Sequence, residues 1–318
     1  MRRHVVALTY GEPPAARFGP QLAYSWRILW NLTRRVAPIP PFVLPFIAGA
    51  RARQRVDLWR SHGYASPIEG ITEEQARALE ATLDAGGEES WQVHVAYEFR
   101  RPLLLEALAA VPAGEPVAVL PLYVAESEFT HDMARRLLAA SGHAAVRVVP
   151  GLDPKVLGAL WVHHVRSELA RRGFVPGPDV ALVLAAHGTL LEPPRPMNTG
   201  RIGTEAIAAS IARGLAPCFG RIERAWLNHT RGGAWTTPSV EAALRDLASA
   251  GFRRIVYVPY GFLADNAESE LEGRIFLETR PEFREVLHLP CLNASPGLSA
   301  ALAEAVRGTL AASPRPGG

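Results

Sequence analysis

Two short stretches hold residues able to do acid–base or metal chemistry. His187 closes the apolar run VALVLAAH (180–187) with Gly188 directly behind it, and PYGFLADNAESELEGR (259–274) carries Asp265, Glu268 and Glu272. An imidazole has an ordinary pKa of about 6.5, so it is the side chain best suited to take a proton near neutral pH. A lone histidine at a strand end is more often structural than catalytic. The glycine behind it shifts that balance, because glycine lets the chain turn sharply and leaves the imidazole at the sheet edge. If a helix starts near Asp265, Glu268 and Glu272 stand four apart and share one face. Like charges on one face weaken a helix unless a cation sits near them, and a solvated face is the plain alternative.

The elements that must position these residues alternate along the chain. HVVALTY, WQVHVAY, PVAVLPLY, AAVRVVP, DVALVLAAH, RIERAWLNH and RIVYVPY read as buried strands. TEEQARALEATLDAG, RPLLLEALAAV, THDMARRLLAASG and SVEAALRDLASAG have helical spacing, the first placed behind Thr72. Such alternation predicts an α/β fold of two Rossmann-like, doubly wound halves, each a parallel sheet flanked by helices. RRGFVPGPD (171–179) is the linker candidate, which divides the chain into 1–172 and 173–318. The last helix is expected to pack back on the first half. The halves resemble one another: VAVLPLYVAESE (117–128) and IVYVPYGFLADNAESE (255–270) share strand, proline, aromatic, then Ala-Glu-Ser-Glu. Ligands of open α/β sheets bind outside the carboxyl ends of the strands, so the site is expected in the cleft between the halves.

Composition bounds the rest. The 318 residues are 48% hydrophobic and 20% charged with net charge +3, as expected of a soluble globular protein. MRRHVVALTYGEP lacks the long apolar stretch of a signal peptide, so a cytoplasmic protein is expected. Two cysteines, Cys218 and Cys291, exclude a four-thiolate zinc or iron–sulfur site. No basic run interleaved with aromatics suggests nucleic acid. Residues 22–53 hold Trp26 and Trp30 and a proline-rich apolar stretch. A helix packing its own core, a lid over a flat apolar ligand and a membrane-touching surface are all open readings of this segment.

In order along the chain, LTYGEP (8–13), PFIAGARARQRVDLWRSHGYASPIEGITEEQARAL (45–79), LPLY (120–123), LAAHG (184–188), HTRGGAWTTPSVEAAL (229–244) and VPYGFLADNAESELE (258–272) resemble the ferrochelatase family. The resemblance spans nearly the whole chain. It implies a lyase of heme biosynthesis that inserts ferrous iron into a porphyrin, coproporphyrin III or protoporphyrin IX, with Tyr10 matching the Gram-positive type. His187 matches the family's active-site histidine as proton acceptor and Glu268 the facing metal and proton partner. Tyr10 is a further candidate metal ligand. Tyr10, Arg27, Arg51 and Ser66 fall where porphyrin is contacted, and Asp265 and Glu272 would continue an acidic path to solvent. Iron is then a substrate metal, with no tightly bound cofactor, no iron–sulfur cluster and a monomeric state expected. The sequence departs from the family at Asn266, where a second histidine usually stands, at Leu227-Asn228 and at Ala125. Those departures leave two alternatives: a chelatase for cobalt or nickel and another tetrapyrrole, or a non-catalytic tetrapyrrole- or heme-binding paralogue.

Overall fold

A computed structural model describes residues 2–33, 40–87, 89–143, 145–228 and 234–311. The strands are β1 (Arg2–Thr9), β2 (Ser90–Tyr97), β3 (Val117–Pro121), β4 (Arg147–Val148), β5 (Val180–His187), β6 (Arg221–Leu227), β7 (Arg254–Val258) and β8 (Glu285–His288). The helices in the first part are α1 (Phe18–Thr33), α2 (Leu44–Ser61), α3 (Ile68–Asp84), α4 (Leu104–Ala109), α5 (His131–Ala140) and α6 (Pro154–Arg171). They continue with α7 (Arg201–Leu215), α8 (Val240–Ser249), α9 (Gly273–Glu278) and α10 (Pro296–Ala311).

The strands form two parallel sheets with the orders β2-β1-β3-β4 and β6-β5-β7-β8. The same order in both halves agrees with the internal resemblance read from the sequence, since β3 and β7 take the same place in their sheets. Val5 to Leu8 of β1 and Val180 to Ala186 of β5 are all buried. Helices cover both faces of each central strand, which is why these runs read as continuously apolar rather than alternating. In both sheets the order reverses beside the central strand. That places the crevice at the ends of β1 and β5, where Tyr10 and His187 stand.

One apolar core joins the sheets. It takes Ala7 and Leu120 from the first and Leu184 and Val258 from the second, with Leu83 of α3, Trp161 of α6 and Val306 of α10 between them. Helix α10 lies against α3, and Arg307 donates to the Thr82 carbonyl at 2.9 Å and the Leu83 carbonyl at 3.0 Å.

Three details differ from the sequence reading. Helix α3 starts at Ile68, behind Pro67, and Thr72 lies inside it, donating from Oγ1 to the Ile68 carbonyl at 2.6 Å rather than capping it. The AAVRVVP run pairs over two residues only. An eighth strand, β8, was not foreseen. In the apolar segment, α1 and α2 pack together over Leu29, Leu44 and Ala48, while Trp26 and Trp30 stack on each other at 5.9 Å. Phe42 and Phe46 are exposed, and residues 34–39 of this segment lie outside the described residues. No helix among the described residues is long and apolar enough to cross a membrane.

The loop after β3 meets the second half directly: the Glu128 amide donates to the Asn198 carbonyl at 2.8 Å, and Asn198 Nδ2 to the Glu126 carbonyl at 3.1 Å. His131 is fully buried behind this loop, and burial pushes its imidazole down to about 4, against the pull of the Glu126 carboxylate. The unfolded chain takes up a proton near pH 6.5 that the folded chain refuses until about 4. Stability is therefore complete above that window and falls as pH drops through it, by up to about 1.4 kcal/mol per pH unit from one such group. His94, His164 and His288 are lowered by burial in the same sense. The Tm is expected to fall between pH 7 and 5, and less steeply in His131→Gln; a flat profile would contradict the burial argument.

Candidate functional site

His187 is the last residue of β5, in register with Leu227 of β6. The Gly188 amide donates to the Leu227 carbonyl at 2.8 Å. A Cβ at position 188 would lie 1.9 Å from Asn228 Oδ1 and 2.7 Å from the Leu227 carbonyl oxygen. The φ of Gly188 is outside the left-handed region, so the expected sharp turn is not its reason. Glycine is required because the strand ends so close to its neighbour. Residues 189–191 then pair with 234–236 through Leu190 and Trp235.

The facing carboxylate arrives from β7. After Tyr260 the chain folds against the end of β5: the Gly261 amide donates to the Ala185 carbonyl at 3.1 Å. A Cβ on Gly261 would come 2.5 Å from the Ala186 Cα. Asn266, fully buried, accepts at Oδ1 from the amides of Glu268 (2.8 Å) and Ser269 (3.1 Å) and donates from Nδ2 to the Ala264 carbonyl at 2.8 Å. The residue standing in place of the family's second histidine is thus an N-cap, which satisfies amides that the first turn leaves without carbonyl partners. The turn it starts, Ala267–Glu272, is π-helical, wider than the α-helix expected from spacing.

Glu268 Oε2 meets His187 Nδ1 at 2.8 Å, with the imidazole half exposed (51%) and the carboxylate largely covered (26%). Tyr10, at the end of β1, buries its hydroxyl without a protein partner among the described residues. Burial, then the charges of Glu12 and Glu268, push that phenol well above its ordinary range, so it stays protonated beside the pair.

Other expected site residues have different surroundings. Asp265 accepts from the Cys291 amide and Asn293 Nδ2, both at 2.7 Å, so its oxygens brace the 291–293 loop instead of lying open as a relay. Ser66 is buried and donates to Glu12 Oε2 at 2.7 Å, so its hydroxyl is engaged inside the protein rather than offered to a substrate. Arg51 is half-buried, acts on the Tyr24 phenol through its charge, and has a buried Nε without a partner among the described residues. Arg27 lines a groove of about 740 Å³ with Trp26, Trp30, Tyr97 and Glu98, whose walls include neither His187 nor Glu268. Glu272 ends the π turn, and its charge, like that of Glu268, favours the Arg55 cation.

Sequence reasoning missed Glu12, Tyr24 and Arg55. Glu12 is buried and pairs with Arg55 at 3.2 Å, and the guanidinium lies 5.1 Å from the centroids of the Tyr24 and Trp59 rings. The only signal for Glu12 was its place in LTYGEP, one of the stretches that carry the family resemblance. Among the described residues, no group of three or more His, Cys, Asp or Glu side chains is arranged to hold a metal ion.

The arrangement can therefore accept a proton at a half-open imidazole backed by a carboxylate. Comparison with known proteins places this fold and sequence in one family. The family model for ferrochelatase matches residues 5–310. The ferrochelatase of Thermosynechococcus vestitus is 29% identical over 302 residues, covering 85% of this chain and 72% of its own. That of Geotalea daltonii is 28% identical over 285 residues, covering 85% and 86%. Among solved structures, CbiX, the terminal enzyme for biosynthesis of siroheme in denitrifying bacteria, aligns with a TM-score of 0.57 at 21% identity, over 97% of this chain and 100% of that one. With the family model running from within β1 into α10, this chain belongs to the ferrochelatase family.

Proposed function

We propose that the chain inserts Fe²⁺ into a porphyrin, coproporphyrin III by preference and protoporphyrin IX otherwise. Family membership supports the broader class, a metal chelatase acting on a tetrapyrrole. The observation that carries the finer reading is the His187–Glu268 pair at the half-exposed edge of the cleft. Metal entry displaces two N–H protons from the macrocycle for each Fe²⁺ bound. With Nδ1 engaged by Glu268, Nε2 of His187 is the nitrogen that takes a proton. The carboxylate fixes the ring's orientation and balances the imidazolium that forms. The preference for coproporphyrin rests on Tyr10. Arg51, whose buried Nε has no partner among the described residues, is the better placed of the two expected propionate partners. Selection of Fe²⁺ over copper or zinc comes from geometry and supply, because raw affinity runs the other way. A monomer in the cytoplasm completes the proposal.

The test is anaerobic metal insertion followed by absorbance, with both porphyrins and with Fe²⁺, Co²⁺ and Ni²⁺ in separate arms. Turnover with Fe²⁺ and one porphyrin is the expected result. Turnover with cobalt or nickel alone would move the chain to another tetrapyrrole. Binding of a porphyrin without metallation by any of the three would make it a carrier.

A further inference from the structure

We infer that Glu12 is a positioning residue: reaching across from the first half, it seats the turn that carries Glu268 and holds Arg55 away from that carboxylate. For its activity readout the inference rests on the metal-insertion reading above.

The geometry is specific. Glu12 Oε2 accepts from the Ala267 amide at 3.0 Å and from Ser66 Oγ at 2.7 Å, while Oε1 faces Arg55 at 3.2 Å. Ala267 opens the π turn and immediately precedes Glu268. One side chain from the end of β1 therefore ties the catalytic turn of the second half to α2 and to the loop before α3. All three of its partners donate, which is the pattern an ionised carboxylate satisfies. Arg55 also donates from Nε to Gln21 Oε1 at 3.0 Å and lies between two aromatic rings, so its stem and its plane are both fixed.

Three carboxylates act on this one guanidinium, those of Glu12, Glu268 and Glu272, and Glu12 is the one it pairs with. Fixed in this way, Arg55 is held on a carboxylate other than the one that meets His187. A glutamine at position 12 keeps an oxygen for Ser66 and Ala267 but turns an NH₂ toward the guanidinium, donor against donor. Arg55 then loses its carboxylate partner in a buried setting and turns to the remaining carboxylates, drawing Glu268 from the imidazole.

The test compares wild type, Glu12→Gln and the double variant Glu12→Gln/Arg55→Met. A misplacement of about 1 Å at a reacting group costs on the order of 100-fold, so Glu12→Gln is expected to lower kcat about 10- to 100-fold. The porphyrin Kd, from quenching of porphyrin fluorescence, should stay within about twofold, because the change is in the turn and not in the substrate's seat. The double variant removes the competing cation and keeps the acceptor, so kcat should return to within about fivefold of wild type. A second readout needs no turnover. In ¹⁵N-histidine spectra, with His187→Gln to assign the signal, the Nδ1 hydrogen-bond signature of His187 should be lost in Glu12→Gln and regained in the double variant. Glu12→Gln with wild-type kcat and an unchanged His187 spectrum would overturn the inference, as would a double variant no better than the single one. If wild type metallates no porphyrin, the proposed function fails, and the spectra still decide the role of Glu12.

Discussion

His187→Ala is expected to abolish metal insertion, and Glu268→Gln to slow it by about 10²–10⁴-fold, with porphyrin binding retained in both. The size of the effect follows from proton bookkeeping. Two protons must leave the macrocycle for each metal that enters, and at the site His187 offers a half-exposed imidazole backed by a carboxylate. Tyr10 is held protonated by its burial, and the Asp265 oxygens are occupied by Cys291 and Asn293. Removing the imidazole leaves solvent as the acceptor. Glu268→Gln asks a narrower question, because an amide oxygen can still hold the Nδ1 hydrogen and keep the ring oriented. What it removes is the negative charge beside the developing imidazolium. Rates from absorbance of the metalloporphyrin and Kd values from fluorescence quenching separate the two effects. His187→Ala retaining a tenth or more of the wild-type rate would place the base elsewhere.

How much of this was legible beforehand depends on distance along the chain. A strand that ends on histidine and an acidic stretch behind another strand are local patterns, and both survived folding intact. The partners of buried polar groups are not local. Ser66 and Asp265 were placed by resemblance at the cleft, yet a buried hydroxyl and a half-buried carboxylate must first satisfy the donors and acceptors around them. Glu12 meets the first need, and the Cys291 amide with the Asn293 side chain the second. Arg55 is one of several arginines between 51 and 60, and nothing in its neighbourhood marks it. It matters because α2 packs against α1 and brings its guanidinium between Tyr24 and Trp59, opposite a glutamate 43 residues away. Strand β8 escaped for a related reason. Four residues at a sheet edge, none of them fully buried, carry too little apolar pattern to be read as a strand.

Gly261→Ala is the sharpest test of the claim that the distance from Glu268 to His187 carries the activity. The added methyl would lie 2.5 Å from the Ala186 Cα, 2.7 Å from its Cβ and 3.1 Å from the His187 amide nitrogen. These are backbone or short, rigid contacts on a central strand, so the strand cannot give way and the 259–266 loop must. Displacement of that loop moves the turn behind it, and with it Glu268, while His187 stays anchored by its pairing with β6. Overpacking of this kind costs about 1–3 kcal/mol of stability, which a domain of this size tolerates. The same shift, of order 1 Å at the carboxylate, is expected to lower kcat about 100-fold. Activity should thus fall far more than the Tm, and the porphyrin Kd should change little. Gly188→Ala makes the useful contrast: its methyl strikes Asn228 and the Leu227 carbonyl, so it should disturb the imidazole's strand end directly and cost both stability and rate. If Gly261→Ala melts well below wild type but turns over normally per folded molecule, the Glu268–His187 separation does not set the rate, and the carboxylate acts through its charge at longer range.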